Sequence, residues 1–212
     1  MKKPTVVFVM IDGLRPDAVT QEHCPALAAL LARGAYSLQA VSVMPCITLP
    51  CHMSIFHSVP PTRHGVTTND WSPMARPLPG LVDVIHAAGL RAAFIYNWEP
   101  LRNLNQPGTL SFSYFRYNVH TSDGDLVNAD IAARIIADDR PDFTFVYFGT
   151  VDETGHAYGW LSAEYLAQIT KVDRALNSVL QALPDDAYIL IQSDHGRGHD
   201  HSVDRRRAGH PL

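Results

Sequence analysis

Thr5-Val-Val-Phe-Val-Met-Ile11, closed by Asp12 and Gly13, is a continuous apolar, β-branched run without alternation. A strand with one wet face alternates polar and apolar residues, whereas a strand of a parallel sheet is buried on both faces and reads apolar throughout. The run therefore predicts an interior strand of a parallel sheet, ending on a carboxylate at the sheet's edge. Phe143 to Thr150, Ala187 to Gln192, Leu90 to Tyr96 and Tyr36 to Met44 complete the expected strands. Helical stretches alternate with them. Cys24 to Arg33 carries Pro25 in its first turn and has Gly34 just past its end. Pro50 to His57 reads as a short helix that places Thr48 at or just before its N-terminus. Leu78 to Ala88 is closed by Gly89, Ser122-Asp-Gly-Asp125 leads into a helix ending near Asp138, and Ser162 to Leu183 is long and amphipathic. This alternation predicts an α/β fold: a mostly parallel central sheet with helices on both faces. Asn97 to Tyr117, rich in Asn, Pro, Gly and aromatics, is expected to form long surface loops of the kind that carry substrate contacts.

With 212 residues, 46% of them hydrophobic and 18% charged, and a net charge of −4, the chain is expected to form one domain over 1–212 with a substantial core. Basic residues are scattered except for Arg205, Arg206 and Arg207, which read as a solvated tail, so no nucleic acid polymer is expected as a partner. Cys24, Cys46 and Cys51 make no even set and lack metal-finger spacing, which argues against a disulfide framework and for a reducing compartment. The N-terminal apolar run is too short for a signal segment or a membrane span. A cytoplasmic protein that does not engage membranes is the expectation.

The chemistry-bearing residues fall at strand ends. Asp12 follows the first strand, Asp152 and His156 follow Phe143 to Thr150, and Ser193-Asp-His-Gly196 follows Ala187 to Gln192. Taken alone, Asp12 reads equally as a cap for the next helix, and Asp152 with His156 as a turn that Gly155 lets close. The adjacent pair Asp194 and His195 makes a poor cap and reads as a ligand pair. Carboxylates and imidazoles delivered by separate strands to one sheet edge are what a two-metal hydrolytic site needs, and hard oxygens with neutral imidazole suit zinc or a similar ion. Thr48 supplies a hydroxyl at a helix N-terminus, where the dipole and free first-turn amides would stabilise an alkoxide and a phosphate oxygen; a plain N-cap is the alternative.

Met10-Ile-Asp-Gly-Leu-Arg15, Ile47-Thr-Leu-Pro-Cys-His52, Thr62-Arg-His-Gly65, Asn69, Asp152-Glu-Thr-Gly-His156 and Ser193-Asp-His-Gly196 resemble, in order, motifs of the alkaline phosphatase superfamily. Its nucleotide pyrophosphatase/phosphodiesterase branch looks nearest. The resemblance implies one metal ion held by Asp12, Asp194 and His195, with Thr48 bound to it as the nucleophile. It implies a second ion held by Asp152, His156 and a further His, for which His201 is the choice over His199 and His210. Two divalent ions are implied, zinc first and manganese as the alternative, and Asn69 matches the family's phosphate-binding Asn. The implied reaction is an in-line displacement at phosphorus through a phospho-threonine intermediate, on a small phosphorylated substrate such as a nucleotide diester or pyrophosphate. The larger diesterases place the last His after an inserted region, so this chain is expected to be either a very compact member or one short of the C-terminal strand the family normally has.

Thr as nucleophile and a neutral Asn69 favour a diester over a monoester dianion, a balance that Arg15 or Arg63 would alter by reaching the site. Trp71, Trp98, Tyr158 and Trp160 lie near strand ends and either stack a nucleobase or pack on the sheet. A sulfatase is disfavoured, because neither Cys46 nor Cys51 opens a Cys/Ser-x-Pro-x-Arg motif. Phosphomonoester or phosphonoacetate hydrolysis is the nearer rival, and a non-catalytic metal-binding regulatory protein is the rival from another class. Oligomeric state is left open.

Overall fold

In the computed structural model, residues 4–196 are described. Strands β1 (Val6–Ile11), β2 (Ala92–Tyr96), β3 (Phe112–Phe115), β4 (Phe143–Phe148) and β5 (Tyr188–Gln192) form one sheet in the order β3-β2-β4-β1-β5. Every pairing in it is parallel, with Val6 opposite Phe143 on one side and Tyr188 on the other. The expected parallel α/β fold is thus the one observed.

The uninterrupted apolar character of β1 has the predicted cause, since its two faces enter different clusters. Val7, Val9 and Ile11 pack with residues of α1 (Pro25–Leu31), α5 (Gly124–Asp138) and α7 (Ala163–Gln181), including Leu27, Ile136 and Leu176. Phe8 and Met10 face the other way, against Met53 and Phe56 of α2 (Thr48–His57) and Val82 of α4 (Leu81–Ala87). A one-residue slip of β1 would exchange these two sets, so the register is fixed by packing on both sides. Among the described residues no helix is long and apolar enough to cross a membrane.

Two expectations about strands and loops fail. Tyr36 to Met44 forms no strand; Tyr36, Val41 and Met44 are 63%, 94% and 77% exposed. Strand propensity acts only where a ladder partner and a packing surface exist, and this segment instead crosses the end of β5, where Ser42 Oγ donates to the Asp194 carbonyl at 2.6 Å. Asn97 to Tyr117 is not all loop. It holds a 3-10 turn, Glu99–Leu104, whose Leu101 and Leu104 are fully buried, and then β3, the edge strand beside β2. Alternation in Leu110-Ser-Phe-Ser-Tyr114 was the missed signal.

A short helix, α3 (Pro61–His64), follows α2, and α6 (Thr150–Tyr158) follows β4 after a single residue. The turn expected around Asp152, Gly155 and His156 is therefore helical. A Cβ at Gly155 would lie 2.7 Å from the Trp160 ring, so that glycine serves close packing rather than a turn.

Candidate metal centre

Parallel strands all end on the same side, so β1, β4 and β5 deliver Asp12, α6 and Asp194-His195 to one edge of the sheet. His195 Nε2 is where they meet. It lies 3.3 Å from Asp12 Oδ1, 3.3 Å from Thr48 Oγ1, 3.7 Å from Asp194 Oδ2 and 4.0 Å from Asp152 Oδ1. One ligand-type atom each from Asp12, Asp152 and His195 falls within 4.8 Å of the other two. His156 joins through Asp152, one helical turn away on α6, with Nε2 3.4 Å from Asp152 Oδ2. Asp12, Thr48, Asp152, Asp194 and His195 are brought together, His156 stands at their outer rim, and His201, His199 and His210 lie outside the described residues.

Gly13 allows the approach. It adopts φ +68°, and a Cβ there would meet Asp152 Oδ1 at 2.9 Å. Its N–H reaches Asp194 Oδ1 at 3.3 Å, an oxygen that also accepts from the His195 N–H at 2.9 Å. Asp194 Oδ2 and Asp12 Oδ1 are buried and accept no hydrogen bond among the described residues, each facing the His195 ring at 3.7 and 3.3 Å.

The electrostatics follow from this crowding. Burial pushes the Asp12 carboxyl up to about 6 against the pull of its hydrogen bond from Tyr147. Burial, with the neighbouring Asp12 charge, pushes Asp194 well above the usual carboxylate range. Both shifts come from negative charge held in a dry place, and a divalent cation among these oxygens would reverse their sign. Hard carboxylate oxygens, an imidazole nitrogen and a hydroxyl are a donor set that fits such an ion.

Thr48 is the first residue of α2, and the cap position belongs to Ile47, so the N-cap alternative does not hold. Of the first-turn amides expected to face a phosphate, those after Thr48 are not free. Leu49 N–H donates to Asn69 Oδ1 at 3.0 Å, Pro50 has no N–H, and Cys51 N–H donates to the Ile47 carbonyl at 3.0 Å. Because its oxygen is engaged by Leu49, Asn69 has its NH₂ as the end left to donate. His52, fully buried one turn along α2, places Nδ1 2.8 Å from the Thr48 carbonyl and 3.6 Å from Asp194 Oδ2, and burial lowers its pKa to about 4.

Arg15 pairs with Asp17, and Arg63 donates to the Arg76 carbonyl at 3.1 Å. Trp98 and Trp160 pack against the two core clusters, whereas Trp71 and Tyr158 are 45% and 64% exposed. The sequence reading missed Tyr147, whose hydroxyl donates to Asp12 Oδ2, and Asp125, which lies behind α6. A tyrosine inside the buried run Phe143-Thr-Phe-Val-Tyr-Phe148 was the available signal for the first, since a buried phenol needs a partner. No pattern flagged Asp125, which reads as an ordinary first-turn acid.

A five-stranded parallel sheet with carboxylates and imidazoles gathered at its edge is an alkaline-phosphatase-like α/β core, and solved structures share it. A murine ectonucleotide pyrophosphatase/phosphodiesterase 5, an inactive variant in complex with AMP, superposes with a TM-score of 0.75 at 20% identity, over 91% of this chain and 57% of that one. A phosphonoacetate hydrolase from Sinorhizobium meliloti in complex with phosphonoformate gives 0.71 at 21% identity, over 92% and 56%. The type I phosphodiesterase / nucleotide pyrophosphatase family model matches residues 6–205, and the chain belongs to that family. Among curated relatives, a pyrophosphatase/phosphodiesterase of Schizosaccharomyces pombe is 26% identical over 91% of this chain and 44% of its own length. Human ectonucleotide pyrophosphatase/phosphodiesterase family member 7 is 24% identical over 95% and 49%. The chain thus spans half or less of the length of these curated relatives.

Proposed function

We propose that this chain is a divalent-metal-dependent hydrolase of phosphodiester or pyrophosphate bonds that uses Thr48 as its nucleophile. The observation that carries the reading is the convergence of Thr48 Oγ1, Asp12, Asp152 and Asp194 on His195 Nε2, all within 4.0 Å of it. Family membership supports the reaction class. Asp12, Asp194, His195 and Thr48 would hold one ion, and Asp152, His156 and His201 a second. Bound zinc, or manganese, would supply positive charge to the phosphoryl oxygens and lower the pKa of a coordinated hydroxyl.

The chain's own groups do the rest. Thr48 Oγ attacks phosphorus as the bond to the leaving oxygen breaks, giving a phospho-threonine that water hydrolyses. The Asn69 NH₂ donates to a non-bridging oxygen that gains charge as phosphorus becomes five-coordinate. Asn69 is neutral, and Arg15 and Arg63 are committed to other acceptors, which suits a diester monoanion better than a monoester dianion. The substrate this reading implies is a small phosphorylated molecule such as a nucleotide diester or pyrophosphate, in keeping with the matched family.

Side-by-side turnover of a nitrophenyl diester, the nitrophenyl monoester and phosphonoacetate tests the class, and preference for the monoester would overturn the diester choice. Thr48→Ala is expected to lower diester turnover by about 10³-fold or more while the protein stays folded. A chain that binds no divalent ion, or a Thr48→Ala protein at full turnover, would remove the mechanism.

A further inference from the structure

Helix α6 carries Asp152 and His156, yet nothing in its own sequence caps it. Its N-cap is Gly149, which offers no side chain, and a Cβ there would lie 2.7 Å from both the Tyr147 ring and Val119. The amides of Gly149 and Thr150 are satisfied from a different helix. Asp125 of α5, 1% exposed, accepts from Gly149 N–H at 3.1 Å through Oδ1, and through Oδ2 from Thr150 N–H at 3.0 Å and Thr150 Oγ1 at 2.5 Å. Its Oδ1 also takes Asn97 Nδ2 at 2.9 Å, from the residue that follows β2. Gln168 of α7 closes the network, donating Nε2 to Thr150 Oγ1 at 2.6 Å and to the Ser122 carbonyl at 2.9 Å. Two helices, α5 and α7, therefore grip the first residue of α6, two residues before Asp152, and Asn97 braces Asp125.

We propose that Asp125 is a positioning residue for the metal centre: by clamping Gly149 and Thr150 it fixes the start of α6 and so the placement of Asp152 and His156. This rests on the metal-site reading above. A fully satisfied buried carboxylate is a rigid clamp, because each lost donor would stay dry and unpaired. Positioning groups behind metal ligands commonly control affinity by 10–100-fold.

The fold contains its own control. Asp173 of α7 does the same job for α1, accepting from Ala26 N–H at 2.9 Å and Leu27 N–H at 3.0 Å, and is likewise buried, at 4% exposure, but α1 carries none of the proposed ligands. Asp125→Asn turns an NH₂ toward donors on one side, and Asp173→Asn does so at α1. The measurement is zinc stoichiometry and affinity by competition with a chromophoric chelator, on the full chain, with melting followed in parallel. Asp125→Asn is expected to weaken the site of Asp152 and His156 by about 10–100-fold, leaving one tight equivalent, while Asp173→Asn melts earlier with both equivalents retained. Thr150→Val, which removes a single donor to Asp125, is expected to give a smaller loss of the same kind and decides the matter should Asp125→Asn fail to fold. Native zinc affinity in the folded Asp125→Asn protein, or in Thr150→Val, overturns the assignment, as does equal zinc loss in Asp173→Asn. A wild-type chain that binds no divalent ion would defeat the functional reading itself, a result that looks different from either.

Discussion

At the scale of single residues, the centre depends on who is allowed near whom. Asp12 and Asp194 are each held by one oxygen, through the Tyr147 hydroxyl and the amides of Gly13 and His195, which leaves the other oxygen of each facing the cluster. Gly13 is the position where this economy is most exposed to change. Alanine there would carry a left-handed φ of +68° and press its Cβ to 3.0 Å from Asp152 Cα. The backbone cost is about 1–2 kcal/mol. The steric cost falls on Asp152, the proposed ligand, which is attached to a helix and cannot swing aside alone. Gly13→Ala is therefore expected to lower diesterase kcat/KM by more than tenfold while melting only a few degrees below wild type. A variant that lost stability but kept its kcat/KM would show that Asp152 is free to move.

Among the elements, the two helices on either side of the Trp160 turn differ in how they begin. Helix α7 has a local cap, with Ser162 Oγ accepting from Tyr165 N–H at 3.2 Å, and the Ser-Ala-Glu entry made it legible. Helix α6 begins on Gly149 and is capped by a residue 24 positions earlier, which no local pattern encodes. The same contrast explains what the sequence did and did not disclose elsewhere. Strands β1, β2 and β4 could be read because burial on both faces leaves a continuous apolar signature in the chain itself, and β5 carries a similar apolar run although Tyr188 and Leu190 are exposed. Tyr36 to Met44 shows comparable composition but finds no ladder, a fact about neighbours rather than about residues. The Asp152-to-His156 spacing was seen as a tight turn because Gly155 suggested one, when its role is to admit the Trp160 ring. Ser162→Ala is accordingly expected to cost about 1 kcal/mol, measurable by urea unfolding, with zinc binding unchanged. A loss of zinc in that variant would mean that the ends of α6 and α7 are coupled more tightly than their separate caps imply.

For the whole molecule, an ion bound at the proposed centre would also be a crosslink. Asp12, Thr48, Asp152 and His195 come from β1, α2, α6 and the end of β5, and in the unfolded chain nothing keeps them near one another. An ion that needs all of them binds the folded state and not the unfolded one, so it stabilises by mass action: about 2.7 kcal/mol when free ion is a hundredfold above its Kd. The metal-free state is at a further disadvantage, because burial opposes the ionised forms of Asp12 and Asp194, and the Asp12 charge opposes that of Asp194 as well. For a chain of this size each kcal/mol shifts melting by about 2–4 °C, so zinc added to chelator-treated protein is expected to raise Tm by about 5–10 °C, saturably. Thr48→Ala removes a single hydroxyl donor and should keep most of that shift, whereas Asp194→Asn should lose most of it. If zinc leaves the wild-type Tm unchanged, or if Asp194→Asn responds as fully as wild type, these segments are held together by packing alone and the carboxylates at the sheet edge need another explanation.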